Sequence, residues 1–275
     1  MNDVGNIQWF PGHMTKTRRL IEADLKMVDA VVEITDARIP ESSRNPILDE
    51  LVKDKPRIIL MNKCDYADET ATRAWKQYYE KKGIRVLTCD CRSGKGLNAF
   101  LPEVKRLLAE LIERRKKRGM IGKALRLMVV GIPNVGKSSF INRMAKTKKT
   151  KVGDKPGVTR GKQWVSIDKD VELLDMPGIL WPKFDDQLAA QRLAFTGAIK
   201  DDVMDTEALA RALGAVLKEQ YPELLNARYK LTGDEDILRD IAKSRGMLVS
   251  GGEPDTERAA AALLDEYRGG KIGRI

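Results

Sequence analysis

The most constraining stretch of this chain is Gly131-Ile132-Pro133-Asn134-Val135-Gly136-Lys137-Ser138-Ser139, which follows the apolar run Leu125–Val130 and opens a helical pattern. A run that is apolar nearly throughout, with no alternation, reads as a parallel strand buried on both faces. A strand that turns through glycines into a helix is the phosphate-loop pattern. Its backbone N–H groups curl around a β-phosphate, and the helix N-terminus adds partial positive charge. In that frame Asn134, Val135, Gly136 and Ser139 line the phosphates, Lys137 bridges the β- and γ-phosphates, and Ser138 ligates Mg2+. A chance glycine-rich turn has no reason to sit between a strand and a helix.

The surrounding pattern agrees with an α/β fold. Val28–Asp36, Arg57–Met61 and Ile84–Thr88 read as strands, and Gln163–Ile167 and Val171–Leu174 as a strand pair about the turn Asp168-Lys169-Asp170. Helices are expected over 46–53, over 67–82 with Gly83 closing it, and over 97–114. Such alternation implies a doubly wound parallel sheet. Beyond about Asp185 the periodicity is helical with no strand signal. The expected organisation is a phosphate-binding domain over 1–184 and a small all-helical domain over 185–275.

Two further motifs define the ligand. Asp175-Met176-Pro177-Gly178 ends a strand some forty residues past the phosphate loop. A P-loop enzyme needs there a carboxylate that steers Mg2+ (Asp175) and a backbone N–H near the γ-phosphate (Gly178). Asn62-Lys63-Cys64-Asp65 also follows a strand. The Asp65 carboxylate can accept from guanine N1–H and the exocyclic amine, a donor pair that adenine lacks. Lys63 would pack along the base and Asn62 would tie this loop to the phosphate loop. GTP is the expected nucleotide. Thr159, in Pro156-Gly157-Val158-Thr159-Arg160-Gly161, fits a switch threonine that completes Mg2+ coordination when a γ-phosphate is present, or else begins the next strand.

These motifs stand in an unusual order. Translation-factor-like GTPases run phosphate loop, switch Thr, D-x-x-G, N-K-x-D, then a ribose-side loop. Here N-K-x-D and the candidate last loop, Asp90-Cys91-Arg92, come first: the G domain is circularly permuted. With Trp9-Phe10-Pro11-Gly12-His13-Met14 near the start and Asp175–Trp181 near the middle, the chain resembles the ribosome-biogenesis GTPase A family along almost its whole length. The resemblance implies GTP hydrolysis that times a late assembly step, with the large ribosomal subunit and its rRNA as partners.

It also bears on single residues. GTPases often have Ser-Ala-Lys where this chain has Asp90-Cys91-Arg92; the Cys91 N–H is expected to reach guanine O6. Many place Gln after D-x-x-G to orient the attacking water. This chain has Ile179, and the resemblance assigns His13 that catalytic role in its place; an anchoring or RNA-contacting His13 is the alternative. Related GTPases with Asn at position 134 use it to help hold K+, beside the plain alternative of a backbone cap.

Composition sets the remaining bounds. Lys and Arg number 50 against 40 acidic residues, a net charge of +10. The cations gather at Arg114–Arg118 and at Lys146, Lys148, Lys149, Lys151, Lys155, Arg160 and Lys162. Clusters of that kind suit phosphate contacts on folded RNA, and an aromatic content of 5% argues against base stacking. Cys64, Cys89 and Cys91 are too few for a disulfide framework and, with one distant histidine, too few for zinc. No run approaches a membrane span, and the N-terminus lacks a signal pattern. A cytoplasmic monomer is expected.

Overall fold

The computed structural model describes residues 14–120, 122–147, 163–178, 180, 186–199, 201 and 204–275. These fall into two compact units that divide between residues 180 and 186.

The first unit is built on a six-stranded sheet. Its strands are β1 (Ala30–Asp36), β2 (Arg57–Asn62), β3 (Arg85–Thr88), β4 (Leu125–Val130), β5 (Gln163–Asp168) and β6 (Val171–Asp175), in the order β3-β2-β1-β4-β6-β5. Five strands are parallel. The sheet is nevertheless mixed, because β5 runs antiparallel to β6. The tight turn at 168–170 forces this: two residues cannot carry the chain across for a parallel return.

Burial follows the register. Val31 stands beside Arg57 on β2 and Met128 on β4, so Val31, Ile59, Met61, Met128 and Val130 share one face. On that face α1 (Met14–Leu25) and α2 (Pro46–Leu51) pack through Ile21, Leu25 and Leu48, and α3 (Glu69–Lys81) packs through Tyr79. Val32, Ile34, Ile58, Leu60, Leu127 and Val129 point to the opposite face and are equally buried. Burial on both faces is why these strands read as continuous apolar runs. Phe100 and Phe140, from α4 (Phe100–Leu107) and α6 (Lys137–Thr147), meet edge to face with centroids 5.0 Å apart. The single helix expected over 97–114 is a 3-10 turn, then α4, then α5 (Ala109–Lys117), broken at Leu108. The i→i−4 bonds of Leu108 to Val104 and of Ile112 to Leu108 persist across that break.

The second unit holds α7 (Gln187–Phe195), α8 (Thr206–Gln220), α9 (Pro222–Tyr229), α10 (Ile237–Ser244) and α11 (Thr256–Arg268). Asp186, Asp205, Asp236 and Asp255 cap four of these helices by accepting from first-turn N–H groups, and Pro222 starts the other. Glu266 of α11 ties the unit together. It accepts from Arg228 Nε and Nη2, both at 2.8 Å, from Tyr229 Oη at 2.8 Å, and from Arg245 at 2.8 and 3.1 Å. Burial alone would raise this carboxyl, but the two guanidiniums and the phenol hold it at about 2. Among the described residues no helix is long and apolar enough to cross a membrane.

Candidate functional site

Because β1, β2, β4 and β6 are parallel, the segments that follow them emerge at one edge of the sheet, the carboxyl edge where open α/β sheets bind ligands. The loop after β4 is the phosphate loop. The loop after β2 is Asn62-Lys63-Cys64-Asp65, and β6 ends at Asp175, in register with Val129. The sheet therefore gathers three motifs that lie far apart in sequence.

Asn62 joins two of them to a third segment. It is 3% exposed. Its Nδ2 donates to the Val135 carbonyl in the phosphate loop at 2.7 Å, and its Oδ1 accepts from the Cys91 N–H at 2.9 Å. Gly136 has no room for a side chain at this junction: a Cβ there would stand 2.3 Å from Asn62 Nδ2.

Lys137 opens α6 and is buried against the loop it serves. Its ammonium donates to the carbonyls of Gly131 at 3.1 Å and Ile132 at 2.7 Å. Burial lowers its pKa to about 8, with the Asp175 carboxylate acting the other way. Gly178 closes on the same group, since a Cβ on it would lie 2.9 Å from Lys137 Nζ and 3.0 Å from the Pro133 backbone. Ser138 and Ser139 are exposed in the first turn of α6. Asn134 is exposed in the left-handed region, with φ of 60°, a conformation that Asn adopts more readily than most residues.

Asp65 is arranged as a base-reading carboxylate would be. Its Oδ1 is buried and has no hydrogen-bond donor among the described residues. Burial raises its pKa, its own backbone N–H opposes that, and Asp90 adds to the rise. An oxygen in this state is costly until a donor reaches it. The paired N–H groups of a guanine edge are such donors.

The ribose-side loop differs from expectation in its backbone. The Cys91 N–H expected at guanine O6 is committed to Asn62 Oδ1. The Asp90 carboxylate accepts from the Arg92 N–H at 2.8 Å and the Ser93 N–H at 3.1 Å, so it shapes the loop from within. Burial pushes its pKa up, but the Ser93 hydroxyl and these two N–H groups outweigh it, and the result is lowered. Cys89 and Cys91 are buried thiols with sulfurs 3.8 Å apart.

One group escaped sequence reasoning. Asp36, the last residue of β1, lies beside Asn62 in register and binds both Arg38 and Lys63. The available signal was a carboxylate ending the strand beside that of N-K-x-D, but isolated polar residues after a strand ordinarily mark a turn. His13 and Thr159 lie outside the described residues, as do Lys148, Lys149, Lys151, Lys155, Arg160 and Lys162. Within the 114–118 run, Arg115 binds Asp29 at 2.6 Å and Lys116 binds Glu113 at 2.7 Å. Arg114, Lys117 and Arg118 are exposed at the C-terminal end of α5, where positive charge also suits the helix dipole.

A phosphate loop on a central parallel strand, tied through an asparagine to an N-K-x-D loop, defines a GTP-binding P-loop GTPase. A family of 50S ribosome-binding GTPases matches residues 126–226. Ribosome biogenesis GTPase A of Bacillus licheniformis is 48% identical over 98% of this chain and 96% of its own length. The GDP-bound structure of YlqF covers 93% of this chain and 96% of its own at 29% identity, with a TM-score of 0.65. GNP-bound YlqF from T. maritima covers 94% and 96% at 30% identity, with a TM-score of 0.63. The chain belongs to the ribosome biogenesis GTPase A family.

Proposed function

We propose that this GTPase of large-subunit assembly binds the precursor particle through rRNA in its GTP state, and that hydrolysis times a late step and its own release. The observation that carries this reading is the junction between the units. Gly178, packed against Lys137 and Pro133, is the end of the γ-phosphate motif, and α7 of the helical unit begins nine residues later in sequence, at Gln187. In this reading a shift of that motif between nucleotide states reorients the helical unit, because so few residues of chain separate the two. In this reading residues 1–184 are the GTPase domain and 185–275 the RNA-binding domain. The exposed cations Arg114, Lys117 and Arg118 add phosphate contacts.

Within the site, Asp65 reads the base, Lys63 packs along it, and Asp90 and Cys91 shape the ribose-side loop. Lys137, Gly136 and their neighbours hold the phosphates. The oxygen donors Ser138, Asp175 and Thr159 fit a hard cation such as Mg2+. Ser138 is exposed in the first turn of α6, and the Asp175 charge already acts on Lys137. When bound, Mg2+ neutralises charge that develops on the phosphates. His13 orients the water, a task that Ile179 has no group to perform, and Asn134 contributes to a K+ site.

The test is co-sedimentation of the full chain with purified large-subunit precursors. Binding is expected with a non-hydrolysable GTP analogue, weaker with GDP, and steeply reduced by salt. Arg114, Lys117 and Arg118 changed together to Gln should flatten the salt dependence, and a chain ending at residue 184 should bind GTP yet lose most particle affinity. Equal binding in both nucleotide states and at all salt concentrations would refute the reading.

A further inference from the structure

Asp36 and Arg38 form a buried ion-paired platform beneath the base-reading loop. The two side chains are each 1% exposed. Arg38 reaches Asp36 with two nitrogens, Nε to Oδ1 at 3.0 Å and Nη2 to Oδ2 at 2.8 Å. The Lys63 ammonium lies 2.9 Å from the same Oδ2. Asp36 is held in place on its backbone as well, its N–H donating to Ser43 Oγ at 3.0 Å. The platform extends outward: the Arg38 guanidinium lies over the Tyr66 ring, 5.8 Å from its centroid, and Tyr66 Oη accepts from Arg92 of the ribose-side loop.

Burying one carboxylate against two cations is costly in a region that ordinary loops leave solvated. Burial would raise the Asp36 carboxyl, yet Arg38 and then Lys63 hold it far below the ordinary carboxylate range, so it stays charged. Lys63 is the residue whose freedom this removes. It adopts a left-handed backbone, with φ of 62°, and a lysine chain is otherwise among the most mobile. Anchored at its ammonium end, its methylene stem has few remaining paths and is set in place before the nucleotide arrives.

We infer that Asp36, oriented by Arg38, is a positioning residue for guanine nucleotide binding: it fixes Lys63 as the wall on which the base packs. The inference rests on the reading of Asn62–Asp65 as the base-reading loop. It assigns a task to two buried side chains, one at the end of β1 and one in the loop that follows it. Preorganisation of this kind acts on the base end of the ligand, so GDP and GTP gain equally from it.

A double-mutant cycle on the full chain tests it, with GDP affinity read by isothermal titration and folding by thermal melting. Asp36→Asn and Lys63→Ala should each weaken GDP binding by about tenfold, and together by little more than either alone, because one acts through the other. GDP and GTP should be affected alike. Should Asp36→Asn fail to fold, Asp36→Glu, which keeps the charge and displaces it by one methylene, enters the same cycle. Additive losses would overturn the inference, as would unchanged affinity in the Asp36 variant. Unchanged affinity in Lys63→Ala alone would instead remove the base-reading assignment on which it stands. A purely structural Asp36 would lower the melting temperature without coupling to Lys63.

Discussion

Replacing Asn62 by alanine removes one side chain from the meeting point of three loops, and the cost follows from what remains. The Val135 carbonyl and the Cys91 N–H lose bonds of 2.7 and 2.9 Å at a residue that is 3% exposed. Each polar group left unsatisfied in such a place costs about 1–3 kcal/mol. Water entering the space relieves part of this in the nucleotide-free protein, and binding then has to restore the order. A loss of about 2–4 kcal/mol in nucleotide affinity is expected, a dissociation constant raised roughly 30- to 1,000-fold. Isothermal titration with GDP and GTP measures it, with thermal melting to report the share taken from folding. Asn62→Asp should do no better, since it keeps the acceptor for Cys91 but sets a carboxylate oxygen against the Val135 carbonyl. Gly136→Ala, whose new Cβ would meet Asn62 Nδ2, should share the phenotype, and its combination with Asn62→Ala should fall short of the sum. Affinity within twofold of wild type in Asn62→Ala would show that the loops hold their places without it.

Four other outcomes are expected. Asp65→Asn should weaken GTP by about 1.5–3 kcal/mol and favour XTP, whose C2 oxygen accepts from the new amide; competition titrations check this. His13→Ala should cut particle-stimulated turnover about 10²–10⁴-fold with little change in GTP affinity, and single-turnover assays with purified large subunits that showed full stimulation would move the catalyst elsewhere. Turnover should be faster in KCl than in matched NaCl, the difference vanishing in Asn134→Ala; equal rates would leave Asn134 a backbone role. The Glu266 carboxyl is lowered to about 2, so its stabilisation is present above the ordinary range near 4.5 and lost as pH falls toward 2. Glu266→Gln should therefore cost about 3 kcal/mol at neutral pH and flatten the acid dependence of melting, which a pH series of thermal scans reads directly.

Much of this is legible in the sequence itself. Gly131–Ser139 and Asn62–Asp65 are local: their glycines, lysines and carboxylate lie within a few residues of a strand end, where spacing alone singles them out. The tie from Asn62 to Val135 followed from that logic, and the structure bears it out. What spacing does not carry is the use of backbone groups and of isolated polar residues. The Cys91 N–H goes to Asn62 because two strands bring their ends together, a tertiary fact. Asp36 and Arg38 look like a polar turn until β1 is placed between β2 and β4. The basic run 114–118 looks uniform in sequence, yet Arg115 is spent on Asp29. The helix expected over 97–114 is continuous in its periodicity, which does not register the break at Leu108.

The position of β1 also governs how this protein is made. It is the strand that joins the guanine half of the sheet to the phosphate half, pairing with β2 on one side and β4 on the other. On the ribosome its β2 partner emerges soon after it, but Glu33 waits about a hundred residues for Val130. At synthesis rates of roughly 5–20 residues per second, that is about 5–20 s during which a strand buried along its whole length in the folded protein presents an open edge to its surroundings. A factor that helps build ribosomes is thus, while being translated, a nascent chain with a long-lived sticky edge. Its own yield in the cell should depend on chaperone capacity and on the pace of translation through residues 36–125.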